Sequence, residues 1–231
     1  MKVTAIIPSG GSGSRFLSSI PKQYIKVLGK ELIVYTLEIF QNCSLVDNIV
    51  IAAQKNYFDI LNNIKQNYNL NKISKIVEGG DERQYSVYNA FNSLTLHDDD
   101  LVIVHDAARP LISDKLLCNA IVFAKSLGSV VVALKAKDTL LKGINGKVKS
   151  YIDRKNIYYA QTPQIFKYKI LKKAFENANK TKFLATDESM LVKNINVDVN
   201  IFEGETTNFK ITTTADLELF KKIIRKKISE N

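Results

Sequence analysis

Short apolar runs alternate along this chain with longer segments in which apolar residues recur at helical spacing. The runs predict strands at residues 3–8, 48–53, 73–77, 101–105, 129–134 and 197–203. The segments between them predict helices at residues 32–41, 57–67, 84–96, 114–127 and 214–228. This order predicts an α/β fold with a doubly wound, mostly parallel sheet. Ligands of such sheets bind outside the carboxyl ends of the strands, so the residues that follow each strand are the first candidates for a site.

The alternation is interrupted between residues 135 and 150, where short strand-like segments flank an Asn145-Gly146 turn. Asn-Gly between such segments is typical of a β-hairpin, so we expect a hairpin arm that projects from the main sheet. Because an isolated hairpin is only marginally stable, we expect it to dock on a second copy of the chain. Without a repeat or linker, the chain is interpreted as one domain, residues 1–231, with residues 136–160 as a dimerisation arm.

The composition is that of an ordinary globular protein, because 45% of the 231 residues are hydrophobic. No apolar run approaches the ~20 residues of a membrane span, and the chain enters its first strand without a signal-peptide pattern. We therefore expect a cytoplasmic protein with no membrane partner. Cys43 and Cys118 are far apart in sequence and lie in apolar helical segments, which favours two buried thiols over a disulfide or a metal pair.

The formal net charge of +10 is compatible with a nucleic-acid partner. The lysines, however, are spread along the whole chain, and the densest run, at residues 221–227, closes the last predicted helix. Cations at that end suit the helix dipole. We therefore expect a general attraction for anionic substrates and no nucleic-acid partner.

A glycine-rich loop follows the first predicted strand. Its small residues and the two cations after them are Ser9, Gly10, Gly11, Gly13, Arg15 and Lys22. Glycines carry no Cβ and accept positive φ, so backbone N–H groups can close around phosphate oxygens while the cations neutralise charge. The pattern predicts a phosphate-binding loop, and the alternative is an ordinary turn between a strand and a helix.

Two common nucleotide-binding templates do not fit this loop. A dinucleotide-binding G-x-G-x-x-G that starts at Gly11 requires glycine where the chain has Phe16, and the second predicted strand is followed by Gln54 instead of a ribose-binding acid. A Walker A loop requires Gly-Lys-Ser or Gly-Lys-Thr, but Gly29-Lys30 is followed by Glu31. Neither an NAD site nor a P-loop is indicated.

Further polar clusters follow other predicted strands, at residues 79–83 and 106–110. Asp106 comes after an apolar run, which predicts a carboxylate at the mouth of the sheet. There it can hold Mg²⁺ together with substrate phosphates, the alternative being a turn cap. The adjacent Ala107 and Ala108 leave room for a ligand to approach closely. His105 is interpreted as a buried, hydrogen-bonded side chain, since no Ser or Cys nucleophile motif accompanies it.

The cations whose positions suit a site for a polyanion are Arg15, Lys22, Arg109, Arg154 and Lys210. Taken singly, each of these cations is more typical of a solvated surface position than of a site. Nucleotidyl transfer depends chiefly on positioning and charge stabilisation, and an attacking phosphomonoester with a second pKa near ~6 is ionised at neutral pH. The absence of an obvious general base is therefore compatible with nucleotidyl transfer to a sugar phosphate.

Short motifs along the whole chain have the order and spacing of one enzyme family. The motifs are residues 8–15, Pro21-Lys22-Gln23, residues 79–87, residues 104–110, Asp138-Thr139, residues 161–164, Thr186-Asp187-Glu188 and residues 208–212. They resemble the 2-C-methyl-D-erythritol 4-phosphate cytidylyltransferases. The resemblance implies a Rossmann-like nucleotidyltransferase fold and the EC 2.7.7.60 reaction. In that reaction CMP passes from CTP to methylerythritol phosphate with release of pyrophosphate, for non-mevalonate isoprenoid synthesis.

The resemblance also implies roles for individual residues. Arg15 and Lys22 would stabilise charge during attack at the α-phosphorus, and Asp106 would hold Mg²⁺, the implied cofactor. The residues that would bind the nucleotide are Ser9, Gly10, Gly11, Gly80, Asp81, Ser86 and Ala107. The residues that would bind the sugar-alcohol phosphate are Arg109, Thr139, Arg154 and Lys210. Thr139 and Arg154 would act in the neighbouring subunit of a homodimer.

Several positions depart from the usual pattern of this family: Ser9-Gly10-Gly11 stands for Ala-Ala-Gly or Ala-Gly-Gly, Phe16 for Met, and Lys137 for a common arginine. The last change matters most, because a point-charge ammonium is not equivalent to a bidentate guanidinium. The acceptor therefore has an alternative, ribitol 5-phosphate or another alditol phosphate of wall or capsule synthesis. A nicotinamide-dependent oxidoreductase and a basic nucleic-acid-binding module are the alternatives from other classes.

Overall fold

The computed structural model describes residues 1–11 and 20–230. Its strands are β1 Val3–Pro8, β2 Lys26–Val27, β3 Lys30–Glu31, β4 Asn48–Ala53, β5 Ile73–Glu78, β6 Leu101–Val104, β7 Ser129–Lys135, β8 Leu140–Ile144, β9 Lys147–Ile152, β10 Tyr158–Lys167 and β11 Asn200–Glu203. Its α-helices are α1 Leu32–Asn42, α2 Phe58–Asn67, α3 Arg83–Asn92, α4 Asp114–Leu127, α5 Tyr168–Thr181, α6 Glu188–Lys193 and α7 Thr214–Ser229. Short 3₁₀ turns cover Lys22–Tyr24, Lys55–Tyr57 and Arg154–Asn156.

Within the described ranges, seven strands form the main sheet in the order β11-β7-β10-β6-β1-β4-β5. All neighbours pair in parallel except β10, which is antiparallel to both β6 and β7. The predicted mostly parallel sheet is therefore confirmed. β10 was not predicted, because Pro163 lacks the N–H that a central strand donates to its ladder. The structure accommodates Pro163 through a shift of register between Ala160 and Gln164.

Helices cover both faces of this sheet. On one face α1, α2 and α4 bury apolar side chains such as Leu37, Leu61 and Leu117, and on the other α3, α5 and α6 bury Val87, Phe175 and Leu191. Because strand side chains alternate between faces, Ile7 belongs to the first cluster and Ile6 to the second. Each fully buried Leu or Phe side chain contributes about 1.5–3 kcal/mol. This packing fixes the strands and, with them, the loops at their carboxyl ends.

Local capping sets several helix ends. Ser113 accepts a hydrogen bond from the N–H of Leu116 at the start of α4, and Gly128 takes a left-handed conformation at its end, so α4 has the predicted bounds. Two predicted bounds were wrong. α3 ends at Asn92, where the Ser93 hydroxyl bonds the Ala90 carbonyl, and β11 starts only at Asn200.

The predicted hairpin arm is present. β8 and β9 form a separate antiparallel sheet, joined by Asn145 and Gly146 with φ values of 50° and 75°. Several of its apolar side chains are exposed, among them Val148 at 54% and Tyr151 at 71%. Among the helices in the described part of the chain, none is long and apolar enough to cross a membrane.

The two cysteines are free thiols, as predicted, but only Cys43 is buried, Cys118 is partly exposed, and the two are neighbours in space. Their Sγ atoms lie 3.6 Å apart, although 75 positions separate them in sequence. The end of α1 and the start of α4 pack on the same face of the sheet and bring them together. Burial raises the pKa of the Cys118 thiol.

Candidate active site

A cavity of about 310 Å³ lies at the carboxyl ends of β1, β5 and β6. The predicted site residues that line it are Ser9, Gly10, Gly11, Lys22, Gly80, Asp81, Ser86, Asp106, Ala107 and Lys210. Other lining residues, which belong to the family motifs but were given no role from the sequence, are Gln23, Glu82, Arg83 and Thr212. The edge of the sheet predicted for ligand binding is therefore the edge at which these groups converge.

Glutamine side chains hold the backbone of the glycine loop. Gln23 Nε2 donates to the carbonyl oxygens of Ser9 at 2.7 Å and Gly11 at 3.1 Å. Gln54 Nε2 donates to the carbonyl oxygen of Gly10 at 3.2 Å. The first three loop carbonyls are thus tied to side chains outside the loop. Residues 12–19, which include the predicted Gly13 and Arg15, lie outside the described residues.

The opposite wall is built around the Ser86 hydroxyl at the start of α3. Its Oγ accepts from the N–H of Gly80 at 3.1 Å and lies 3.2 Å from the carbonyl oxygens of Gly80 and Glu82. A Cβ added to Gly80 would lie 2.4 Å from the Tyr85 Cβ, so a side chain does not fit there. A Cβ on Gly10 would lie 3.3 Å from Ser86 Oγ, which shows how closely the two loops approach.

Asp106 lies between three cations. Its Oδ1 is 3.2 Å from Arg83 Nε, and its Oδ2 is 3.0 Å from Lys210 Nζ and 3.4 Å from Arg109 Nε. Burial alone would raise the pKa of Asp106, but Arg83, Lys210 and Arg109 hold it well below its usual range. The carboxylate is therefore ionised near neutral pH, and the cluster around it carries excess positive charge.

Arg83 also pairs with a second carboxylate. Its Nη1 and Nη2 lie 2.8 Å and 3.0 Å from Glu188 Oε1 and Oε2, a two-point arrangement. Burial raises the pKa of Glu188, and the charge of Arg83 opposes that rise. Sequence reasoning named neither residue as a site residue. Two sequence features pointed to them: Arg83 is the last residue of the polar cluster at 79–83, and Glu188 belongs to the Thr186-Asp187-Glu188 motif. Neither feature indicates that the two residues pair across 105 positions.

His105 is buried and hydrogen-bonded, as predicted. Its ring lies 3.1 Å from the carbonyl oxygen of Arg109 through Nε2 and 3.2 Å from Thr162 Oγ1 through Nδ1. The same Thr162 hydroxyl oxygen accepts from the N–H of Asp106 at 3.0 Å. Because burial lowers the pKa of His105 to about 4, the ring is neutral at pH 7, and it supports the backbone of the Asp106 loop.

The segment at residues 208–212 closes the site from the C-terminal side. The N–H of Ile211 donates to the carbonyl oxygen of Ala108 at 2.8 Å, and Lys22 Nζ donates to the carbonyl oxygen of Ile211 at 2.7 Å. Arg109 Nη1 donates to the carbonyl oxygen of Asn208 at 2.8 Å. These bonds bring Lys22 and Lys210 to one cavity, although 188 positions separate them in sequence (210 − 22).

The chain matches the family model of 2-C-methyl-D-erythritol 4-phosphate cytidylyltransferase over residues 3–226. It belongs to this cytidylyltransferase family. The curated cytidylyltransferase of Clostridium perfringens is 37% identical over 226 residues, covering 97% of this chain and 99% of that protein. The solved structure from Francisella tularensis is 33% identical with a TM-score of 0.81, covering 95% of this chain and 98% of that one. The Anaerococcus prevotii synthase structure is 28% identical with a TM-score of 0.84, covering 97% of this chain and 98% of that one.

Three residues that the family resemblance placed at the acceptor do not line the cavity of their own chain. Thr139 and Arg154 lie at the base of the hairpin arm and are exposed, with Arg154 Nη1 hydrogen-bonded to the carbonyl oxygen of Lys137. Arg109 contacts Asp106 without reaching the cavity wall described above. In this cytidylyltransferase chain the predicted nucleotide residues converge, whereas the two arm residues stay apart from them.

The acidic groups fit a cation that a bound nucleotide helps to hold. Within the described residues no group of three or more His, Cys, Asp or Glu is arranged to hold a metal ion by itself. Asp106 offers the cavity a single carboxylate with both oxygens ion-paired. Mg²⁺ commonly takes one or two carboxylates and completes its shell with substrate phosphates and water. One carboxylate is therefore enough for Mg²⁺ that arrives with a triphosphate, provided that the metal replaces one of the cations now paired with Asp106.

Proposed function

We propose that this protein transfers the cytidylyl group of CTP to 2-C-methyl-D-erythritol 4-phosphate. The products are 4-diphosphocytidyl-2-C-methyl-D-erythritol and pyrophosphate. The observation that carries the proposal is the convergence of the glycine loop, the Ser86 wall and the Asp106–Lys210 pair on one cavity, in a chain that the family model matches nearly from end to end. Its relatives carry this activity in their names.

The nucleotide would occupy the cavity with its phosphates at the glycine loop. There, backbone amides and the side chains of Lys22 and Arg15 would neutralise charge that grows on the triphosphate as the α-phosphorus is attacked. Gly80, Asp81 and Ser86 would contact the cytosine and ribose from the opposite wall, and Ala107 would border the nucleotide. The cavity of about 310 Å³ is of the size that small-molecule sites have.

The acceptor phosphate would attack without a general base. A phosphomonoester with a second pKa near ~6 is largely ionised at neutral pH, so its oxygen is already a nucleophile. Lys210, which contacts Asp106 and lines the cavity, would hold the reacting phosphates in line and offset their repulsion, while Arg109 would hold Asp106 from outside the cavity wall. Asp106 would hold Mg²⁺, which when bound supplies further charge neutralisation at the α-phosphate.

The hairpin arm would complete the acceptor site of a second copy. Its exposed apolar side chains and its separate sheet suit docking on another subunit. Thr139 and Arg154 would then reach the partner's cavity and bind methylerythritol phosphate there. We expect this homodimer to work in the cytoplasm, where nucleoside triphosphates and sugar phosphates are available. Ribitol 5-phosphate gains no support, since the relatives described above are named for methylerythritol phosphate or for its diphosphocytidyl product.

The test is pyrophosphate release from CTP and Mg²⁺, with methylerythritol 4-phosphate and ribitol 5-phosphate in parallel and with UTP and ATP as nucleotide controls. Release with CTP and methylerythritol phosphate supports the proposal. A preference for ribitol phosphate would move the protein to wall or capsule synthesis, and absence of release with every acceptor would refute cytidylyl transfer.

A further inference from the structure

Two buried glutamines fix the segment that carries Glu188. At its start, Gln84 of α3 accepts from the N–H of Ala185 at 2.7 Å and donates to the carbonyl oxygen of Phe183 at 3.1 Å. At its end, Gln164 of β10 accepts from the N–H of Ser189 at 2.7 Å and donates to Asp187 Oδ2 at 3.0 Å. Since both attachments satisfy backbone or capping groups, the start of α6 is held in one place.

This attachment puts a carboxylate where little water reaches it. The side chain of Glu188 is only 1% exposed, and both of its oxygens face the guanidinium of Arg83. A planar fork held at two nitrogens has a fixed orientation. The remaining Nε of Arg83 then points to Asp106 Oδ1 at 3.2 Å. Glu188 is thereby connected to the cavity carboxylate through one rigid side chain.

The three cations around Asp106 differ in how firmly they are held. Arg83 is tied to Glu188, and Arg109 donates to the carbonyl oxygen of Asn208. Lys210 is the most exposed of the three, with 38% of its side chain accessible. A lysine is a point charge on a flexible stem, so Lys210 can turn from Asp106 to a bound phosphate. Arg83 cannot follow without leaving a buried carboxylate unpaired.

We propose that Glu188 is a positioning residue for the cytidylyl transfer, on which this inference rests. It locks Arg83 on Asp106 Oδ1, so that the carboxylate keeps its orientation when Lys210 turns to the phosphates of the nucleotide. A contribution to stability alone is a poor explanation, because buried ion pairs are often no more stable than apolar replacements of similar volume.

The experiment measures kcat, KM for CTP and the CTP-induced rise in Tm for the wild-type protein and for Glu188→Gln, Asp106→Asn and the double variant. Glu188→Gln keeps the shape but presents an amide to Arg83, so we expect kcat/KM for CTP to fall about tenfold or more and the CTP-induced shift to shrink. The matched control is Asp198→Asn, which removes an exposed carboxylate paired with Lys193 and should change neither quantity.

The double variant separates positioning from damage to the fold. If Glu188 acts through Asp106, Glu188→Gln adds little to the loss that Asp106→Asn already causes. The inference would be overturned if Glu188→Gln lowered kcat/KM by the same factor in the wild-type protein and in Asp106→Asn. Wild-type kcat/KM in the folded Glu188→Gln protein would overturn it as well. Should Glu188→Gln not fold, Arg83→Met combined with Glu188→Leu removes both charges together. Full activity in that folded protein refutes the inference, whereas a tenfold loss that disappears in the Asp106→Asn background supports it.

The failure of this inference is distinguishable from the failure of the proposed function. Wild-type protein that does not release pyrophosphate from CTP with any acceptor refutes the function itself. Active wild-type protein with an equally active Glu188→Gln variant leaves the function in place and refutes only the role of Glu188.

Discussion

The side-chain amide of Gln23 donates a 2.7 Å hydrogen bond to the carbonyl oxygen of Ser9 in the glycine loop. Gln23 directly follows Lys22, and both belong to the 3₁₀ turn Lys22–Tyr24. One short turn therefore supplies a cation to the cavity and also holds the backbone of the loop that faces it. The shape of the loop and the place of the charge are set by consecutive residues.

Gln23→Ala is expected to raise KM for CTP about tenfold, because two hydrogen bonds of about 1 kcal/mol each no longer hold the loop. The fold should persist, since the sheet does not depend on this side chain. Steady-state kinetics with varied CTP measure the effect, and Gln66→Ala on the exposed side of α2 is the matched control. An unchanged KM in folded Gln23→Ala protein would show that the loop keeps its shape without this clamp.

Lys22→Ala is expected to lower kcat by roughly 10²-fold, because it removes one charge that opposes the charge developed in the transition state. Lys26→Ala removes an exposed lysine four positions away and should leave turnover unchanged. Pyrophosphate release at saturating CTP gives kcat, and circular dichroism verifies the fold. Near-normal turnover in the folded Lys22→Ala protein would contradict the assignment of the site.

Protein stability is expected to fall as the pH drops from about 6.5 to about 4, because burial holds the pKa of His105 at about 4 in the folded chain. Over that interval His105 binds a proton in the unfolded chain but stays neutral in the folded chain. His105 alone should lower the free energy of unfolding by about 3 kcal/mol over this interval. Urea denaturation at several pH values measures it. His105→Gln should flatten the dependence, and an equal slope in both proteins would exclude His105 as its source.

Val148→Glu combined with Tyr151→Glu is expected to convert a dimer to monomers, because the two most exposed apolar side chains of the arm would become charged. The Tm of the main sheet should change little, since β8 and β9 form their own sheet. Size-exclusion chromatography with light scattering measures the mass. Val122→Glu, at an exposed position of α4, is the control. A variant that stays dimeric, or a monomeric wild-type protein, would rule out the arm as the dimer contact.

Arg154→Ala and Lys22→Ala subunits are expected to complement each other. If the arm of one subunit serves the cavity of the other, a mixed dimer has one site with both changes and one intact site, so it should show about half of wild-type turnover. Mixed dimers isolated with two different affinity tags provide the measurement. Absence of recovery in verified mixed dimers would argue that each chain uses its own arm.

The placement of the cavity was predictable because it depends on strand order and on polar clusters at strand ends. The glycines after β1, the polar cluster at residues 79–83 after β5 and Asp106 after β6 meet wherever those strands are parallel neighbours or near neighbours, whereas the role of Ser86 came only from the family resemblance. The role of His105 as a buried partner also followed from the sequence, since no nucleophile motif accompanied it. These inferences required no knowledge of contacts between distant segments.

The pairing of Arg83 with Glu188 was not predictable for a physical reason. It requires β10 to enter the sheet antiparallel between β6 and β7 and to present Gln164 to the start of α6. The segment of β10 contains Pro163, which argues against a central strand. The proximity of Cys43 and Cys118 likewise depends on how α1 and α4 pack on one face, which their sequence separation conceals.

The direction of β10 also decides from which side of the molecule the hairpin arm projects. Gln164 of β10 lies opposite Val104, the last residue of β6. The preceding residues of β10 therefore extend beyond the carboxyl end of β6 towards the base of the hairpin arm. These residues, 158–163, span about 20 Å as extended chain. The hairpin arm therefore begins at the same edge of the sheet at which the cavity opens. If the arm docks on a second copy as proposed, substrate entry and subunit contact would share this edge of the molecule, and the path into each cavity would run between the two subunits.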